Sequence, residues 1–153
     1  MSKTKLFIEE FNTLQTLLGL DFGDKTIGIA VSDKTLTIAT PLITIKRKGI
    51  QKDILELKKI FKEYNVGGVV LGLPLSLNGQ ENERTEKVRF FAKEMNKITN
   101  IKFTFHDERF STDVIFKELR KQSISISKIK NRINHMAASY ILQGFLDTNI
   151  IDN

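Results

Sequence analysis

The stretch Leu17-Leu18-Gly19-Leu20-Asp21-Phe22-Gly23-Asp24-Lys25-Thr26-Ile27-Gly28-Ile29-Ala30-Val31-Ser32 is an apolar run, an acid at its edge, a glycine turn and a second apolar run. Two such runs parted only by Gly23-Asp24-Lys25 read as a β-hairpin. Asp21, at the end of the first strand, becomes a carboxylate fixed at the rim of a sheet. Gly23 and Gly28 leave room beside it for something bulky and charged. Rims of this kind suit a hard cation held against phosphate oxygens.

Residues 36–45 read as a third strand. Pro41 has no N–H to give a ladder, so that strand is expected at an edge or bent. The period then changes. Ile50, Ile54, Leu57, Phe61 and Tyr64 recur at helical spacing. Val66-Gly67-Gly68-Val69-Val70-Leu71-Gly72-Leu73 is apolar enough for a strand buried on both faces, and Pro74 stops it. Leu75 to Arg84 is a polar loop around Asn78-Gly79; Val88, Phe91, Met95 and Ile98 mark a second helix; residues 101–105 alternate as a fifth strand. Ser111 suits the cap of a third helix. A last helix covers roughly 127–147, and its Ala137, Ala138 and Ser139 let it lie close to a neighbour.

Three meandering strands followed by crossover units predict an α/β fold. The expected sheet is mixed and five-stranded: three antiparallel strands, then parallel crossovers, with helices on both faces. Ligands in such sheets sit beyond the carboxyl ends of the strands. Residues 17–150 are expected to form this domain and 1–16 an N-terminal extension. Within the extension, Leu6, Phe7, Phe11 and Leu14 suit a short amphipathic helix.

The 153 residues fit one domain with a real core. The chain has no cysteine, which excludes disulfides and thiolate metal sites. No apolar stretch approaches the roughly 20 residues of a membrane helix. The first ten residues carry acids and no long apolar core, unlike a secretory signal, so a cytoplasmic location is expected. Lysine and arginine total 24 against 18 acids, a net charge of +6. The surplus is local, in Lys46-Arg47-Lys48 and in Lys117, Arg120, Lys121, Lys128, Lys130 and Arg132. Such patches suit a polyanion such as nucleic acid, and they also read as an ordinary solvated face.

Asp21 alone reads as a turn residue. A second acidic segment, His106-Asp107-Glu108-Arg109-Phe110-Ser111-Thr112, follows the fifth strand and is expected at the same end of the sheet. Two carboxylates are a typical protein contribution to a magnesium site. Arg109 is placed to orient Glu108 or contact phosphate, and Arg84, at the start of the second helix, suits an anion. The Gly72-Leu73-Pro74 turn and Asn78-Gly79 form an irregular loop at that end. His106 and His135, the only histidines, have no company that compels a catalytic role and read as structural or surface groups.

With these residues in place the chain resembles the bacterial YqgF family, ribonuclease H-like proteins described as Holliday-junction-resolvase-like and as nucleases of the pre-16S ribosomal RNA 5′ end. The resemblance runs from about Leu17 to Asp147. It is carried by Leu18-Gly19-Leu20-Asp21-Phe22-Gly23 with Ile27-Gly28-Ile29-Ala30-Val31-Ser32-Asp33, then Pro41-Leu42, then Gly72-Leu73-Pro74 with Gly79 and Arg84. Asp107-Glu108-Arg109-Phe110-Ser111-Thr112 and Ala137-Ala138-Ser139-Tyr140-Ile141-Leu142-Gln143 complete it.

The resemblance implies an RNase H-like fold and a nuclease using Mg2+ or Mn2+. Asp21 and Glu108 stand as its metal ligands and catalytic carboxylates, with Asn134 as the third catalytic residue. Lys25, Arg84, Arg109 and Thr112 stand as substrate-binding residues. It also implies nucleic-acid partners (pre-rRNA or structured DNA), ribosomal precursor particles, and a monomer or homodimer away from membranes. The family usually carries a third acid three residues before the paired alanines, where this chain has Asn134. An amide oxygen can ligate magnesium but brings no charge. At about 4 Å and an effective dielectric near 20, the missing charge–charge term is worth at most about 4 kcal/mol.

Two other readings share these residues. A weakened nucleic-acid-binding or ribosome-assembly factor on the same fold follows from Asn134. A phosphotransferase follows from Asp21 to Gly28, which look like the first phosphate motif of the sugar kinase and actin group. That group needs two lobes, and this chain has the length of one.

Overall fold

The computed structural model describes residues 7–9, 14–108, 120–122 and 125–151. The first hairpin is strands β1 (Thr16–Phe22) and β2 (Thr26–Ser32), with Asp21 paired to Gly28. The Gly23 N–H donates to the Thr26 carbonyl at 2.9 Å and closes the turn. Strand β3 (Ala39–Lys46) adds antiparallel to β2 at the sheet edge, and its register shifts between Ile29 and Ala30, beside Pro41. This is the edge position that a missing N–H tolerates.

Strand β3 starts at Ala39 rather than at the expected residue 36. Asp33 is the reason. Its carboxylate accepts from the Thr37 N–H at 2.8 Å, the Ile38 N–H at 3.1 Å and the Thr35 hydroxyl at 2.6 Å. Leu36 takes a φ of 57° within this turn. Short acidic side chains that bond nearby backbone compete in this way with sheet formation.

Helix α1 (Ile50–Glu63), strand β4 (Val66–Leu73), helix α2 (Glu83–Thr99), strand β5 (Lys102–Asp107) and helix α3 (Ile126–Ile151) follow. The sheet order is β3-β2-β1-β4-β5, with β1, β4 and β5 parallel. The predicted mixed five-stranded sheet is therefore the one that forms. The loop before α2 ends at Asn82, two residues sooner than Arg84, and strand β5 continues beyond residue 105 to take in His106 and Asp107. The expected cap at Ser111 lies outside the described residues.

Alternation along β1 divides the core. Leu18, Leu20 and Phe22 pack with Ile54 and Leu57 of α1 and with Phe91 and Met95 of α2. Leu17, Ala30 and Val70 face Ala138, Ile141, Leu142 and Phe145 of α3. Ile98, counted in the helical stripe, is 39% exposed and outside the core. Gly19 belongs to the α3 face. A Cβ there would lie 2.7 Å from the Leu142 Cβ and 2.8 Å from the Ala138 carbonyl oxygen. Glycine and the small residues of α3 thus let the helix rest directly on β1.

Part of the N-terminal segment packs on this side too. The Phe7 ring meets Phe145 edge-on at 6.0 Å, and Lys102 Nζ donates to the Phe7 carbonyl at 2.6 Å. Among the described residues, no helix is long and apolar enough to cross a membrane.

Candidate active site

Asp21 falls on the α3 face of β1, opposite in direction to Leu20 and Phe22. The register of β1 and β4 pairs Leu20 with Leu71, which sets Asp21 beside Gly72. The register of β4 and β5 pairs Gly72 with His106 and Leu73 with Asp107. Glu108 comes next, its N–H donating to the Leu73 carbonyl at 3.3 Å. Asp21, Gly72 and Glu108 therefore share one face at the carboxyl ends of three neighbouring parallel strands.

Gly72 is the central member of the three, and its lack of a side chain is what lets the flanking acids meet. A Cβ on Gly72 would lie 2.5 Å from Glu108 Oε2 and 2.5 Å from Ile141 Cδ1. Through that gap the Asp21 and Glu108 side chains hydrogen-bond each other. Two carboxylates so placed need a proton or a cation between them.

Their electrostatics agree. Burial raises the Glu108 carboxyl most, and the Asp21 charge, the bond to Asp21 and the Asp107 charge raise it further, to about 8. Burial also pushes Asp21 above its usual range, opposed by the bond to Glu108 and the charge of Arg84. Arg84 opposes the rise at both acids, so its guanidinium charge acts on the pair.

Arg84 is held there by the loop before α2. Asn82 caps the helix: its side chain accepts from the Thr85 N–H at 3.0 Å, and Thr85 Oγ1 accepts from the Asn82 N–H at 2.8 Å. The Asn82 amide also donates to the Pro74 carbonyl at 2.9 Å and the Ser76 hydroxyl at 3.1 Å. One side chain thus ties the end of β4 to the start of α2, two residues before Arg84. A cleft of about 120 Å³ lies alongside, lined by Phe22, Gly23, Asp24, Pro74, Arg84 and Lys87.

The turn after Asp21 has its own clamp. Arg47 Nε donates to fully buried Asp53 at 2.7 Å, and Arg47 Nη1 donates to the Gly23 carbonyl at 2.9 Å. The Lys48 N–H gives Asp53 a further bond at 2.9 Å, and the guanidinium lies 4.3 Å over the Phe22 ring. Arg47 therefore serves the framework of this turn.

Lys25 is exposed in the β1–β2 turn. Arg109 and Thr112 lie outside the described residues. Asn134 falls within α3, with its side chain outside them. His106 packs on α3: its ring meets Phe145 edge-on at 6.3 Å, and a Cβ on Gly144 would come 2.8 Å from its Nε2.

Gly72, Asn82 and the Arg47–Asp53 pair were not singled out as site residues by sequence. Of these, only Gly72 carried a signal, as a glycine inside an apolar strand next to where a ligand sits.

The donor set fits a hard divalent cation, since two anionic oxygen groups converge where mutual repulsion already favours a positive partner. Among the described residues, no third histidine or acid joins them to complete a three-group cluster.

Residues 15–148 match the family model described as RuvX: Holliday junction resolvase. A protein of Ruegeria pomeroyi named "Putative pre-16S rRNA nuclease" is 42% identical over 144 residues, covering 92% of this chain and 94% of its own length. A protein of Bartonella tribocorum with the same name is 45% identical over 133 residues, covering 87% and 85%. Among solved structures, T. thermophilus RuvC in complex with a Holliday junction substrate superposes with a TM-score of 0.56 at 11% identity, over 89% of this chain and 96% of that one. The Fowlpox virus resolvase with junction DNA gives 0.53 at 14% identity, over 89% and 99%. At such identities these two likenesses establish the fold. With the family model spanning nearly the whole sequence and relatives above 40% identity, the chain belongs to the RuvX Holliday junction resolvase family.

Proposed function

We propose that this protein is a divalent-metal-dependent nuclease that hydrolyses phosphodiester bonds at the 5′ end of pre-16S ribosomal RNA. The observation that carries the reading is the buried Asp21–Glu108 pair, brought together across Gly72 at the carboxyl edge of the sheet. The names of the relatives at 42% and 45% identity support the substrate class.

Asp21 and Glu108 would hold Mg2+ or Mn2+. When bound, such an ion polarises a phosphate oxygen and lowers the pKa of an attacking water. The protein's own residues do the rest. Burial and mutual repulsion keep the two carboxylates poised to exchange a proton for a cation, so cation affinity rises with pH. Arg84, facing both acids from the start of α2, attracts the substrate phosphate and balances charge as it arrives. Asn82 keeps Arg84 in place, and Arg47 keeps the Gly23 turn from shifting Asp21. Asn134 precedes Ala138 by four residues and Ile141 by seven within α3, the spacing at which helical residues share a face. There it would orient water or a weakly held second ion.

A purely binding role gives no reason to bury two repelling acids beside a guanidinium. The test is cleavage of single-stranded precursor RNA, and separately of four-way junction DNA, with Mg2+ or Mn2+. Asp21→Asn is expected to abolish cleavage while leaving RNA binding intact. Unchanged cleavage by Asp21→Asn removes the metal role, and cleavage of the junction alone replaces RNA with DNA as the substrate.

A further inference from the structure

A second, larger recess adjoins the small cleft beside Arg84. It has a volume of about 510 Å³, within the range of roughly 300–1,000 Å³ typical of ligand pockets. It shares Phe22, Asp24 and Lys87 with the smaller cleft beside Arg84, so the two form one path along the side of α2. Its far wall carries Phe90, a ring on α2 that is 55% exposed. Glu83 and Glu86, two turns and one turn before Phe90, also line it, as does Arg47.

The charges do not suit a phosphate. Asp24, Glu83 and Glu86 contribute three negative groups. Of the two cations, Arg47 is spent on buried Asp53, and Lys87 Nζ lies 3.5 Å from Asp24 Oδ1. A backbone phosphate is repelled here and drawn instead to Arg84. A nucleobase is neutral, has an aromatic face for Phe90 and carries N–H groups that carboxylates accept. Helix α2 presents Phe91 to the core, stacked on Phe22 at 4.4 Å, while Phe90 next to it is left uncovered over the recess.

We propose that this recess receives an unpaired nucleobase of the substrate strand, stacked on Phe90, while a phosphate of the same strand lies in the adjoining cleft at Arg84. The proposal rests on the nucleic-acid reading of the site but not on cleavage. It makes Phe90 a residue that selects single-stranded or splayed substrates, because a base inside a duplex has no free face to offer.

The test is binding, measured in EDTA by fluorescence anisotropy, with a short single-stranded RNA and a fully abasic oligomer of the same length. Phe90→Ala is expected to weaken the base-bearing RNA roughly ten-fold or more and the abasic oligomer less than about two-fold. Phe90→Trp is expected to restore affinity. As the chain has no tryptophan, its emission then reports stacking directly and should be quenched by RNA but not by the abasic oligomer. Equal affinity of Phe90→Ala and the parent chain for RNA overturns the proposal, as does an equal loss for both oligomers. A chain that binds with this signature yet never cuts leaves the base recess standing and removes the nuclease reading.

Discussion

Gly72 leaves the room that Glu108 fills: a Cβ on the glycine would sit 2.5 Å from the glutamate's Oε2, so one of the two would have to shift. The gap at Gly72 is therefore a component of the site, as necessary as the acids that reach through it. Gly72→Ala is expected to push Glu108 away from Asp21 and to press on Ile141. Overpacking of this kind costs about 1–3 kcal/mol. Displacing a reacting group by about 1 Å can cost 10²-fold in rate. Cleavage should thus fall by about two orders of magnitude while the melting temperature falls only modestly, and kcat measured beside a thermal melt separates the two.

The acids themselves give the metal-free protein a pH dependence. The fold raises Glu108 from 4.5 to about 8, so it favours the neutral acid. That contribution is fully present below the unfolded value and is lost as pH rises through about 8. One proton released over this window changes stability by about 1.4 kcal/mol per pH unit at most. In EDTA the melting temperature should fall by several degrees between pH 5 and pH 8, at about 2–4 °C per kcal/mol for a chain of this size. Mg2+ held by the pair, as proposed, would stabilise its ionised form, so its stabilising effect should be larger at pH 8 than at pH 6. Glu108→Gln should flatten both trends. A metal-free melting curve with no slope in this window contradicts the burial of the pair.

Much of this arrangement is legible in the sequence, and the limits are physical. The hairpin around Gly23, the helical stripe of Ile54 and Leu57 and the edge strand at Pro41 follow from local periodicity and turn chemistry, which the fold keeps. Asp21 and Glu108 are readable as partners because parallel strands put their carboxyl ends together. The start of β3 is missed because Asp33 gathers three hydrogen bonds that hydropathy does not register. The Arg47–Asp53 pair hides for a different reason. Its partners come from the end of β3, the Gly23 turn and the first turn of α1, and no spacing links Arg47 to the Gly23 carbonyl 24 residues earlier.

That pair should be the most costly polar contact to break. Asp53 is 0% exposed and receives both Arg47 and the Lys48 N–H. Removing one member of a buried pair strands the other and costs about 3–5 kcal/mol. Asp53→Ala is expected to lower the melting temperature by roughly 6–20 °C. The double variant Arg47→Met with Asp53→Leu should lose less than the sum of the single changes, since it strands no charge. Thermal melts of the three variants decide this.

Asn82 joins two jobs that substitution can separate. Asn82→Asp keeps an acceptor for the Thr85 N–H but loses the donors to the Pro74 carbonyl and the Ser76 hydroxyl. Asn82→Ala loses both and should cost about 1 kcal/mol as a helix cap. If the loop ties serve Arg84, both variants should raise KM for the nucleic acid, and Asn82→Asp should do so with little change in melting temperature. A KM that moves only with stability restricts Asn82 to capping.

Asn134 tests how many charges the site needs. It lies in α3 four residues before Ala138 and brings an amide rather than a charge. Asp21 and Glu108 already repel each other, as the raised carboxyl of Glu108 shows. A third carboxylate adds to that repulsion when no cation is bound and to the attraction when one is. Asn134→Asp should therefore destabilise the protein in EDTA at pH 8 and tighten Mg2+ by about 10–100-fold, the range in which one supporting ligand acts. The half-saturating Mg2+ concentration for cleavage reads the second effect and a melt in EDTA the first. If neither moves, Asn134 lies too far from the two acids to share their ion, and the cation is held from the β1 and β5 edges alone.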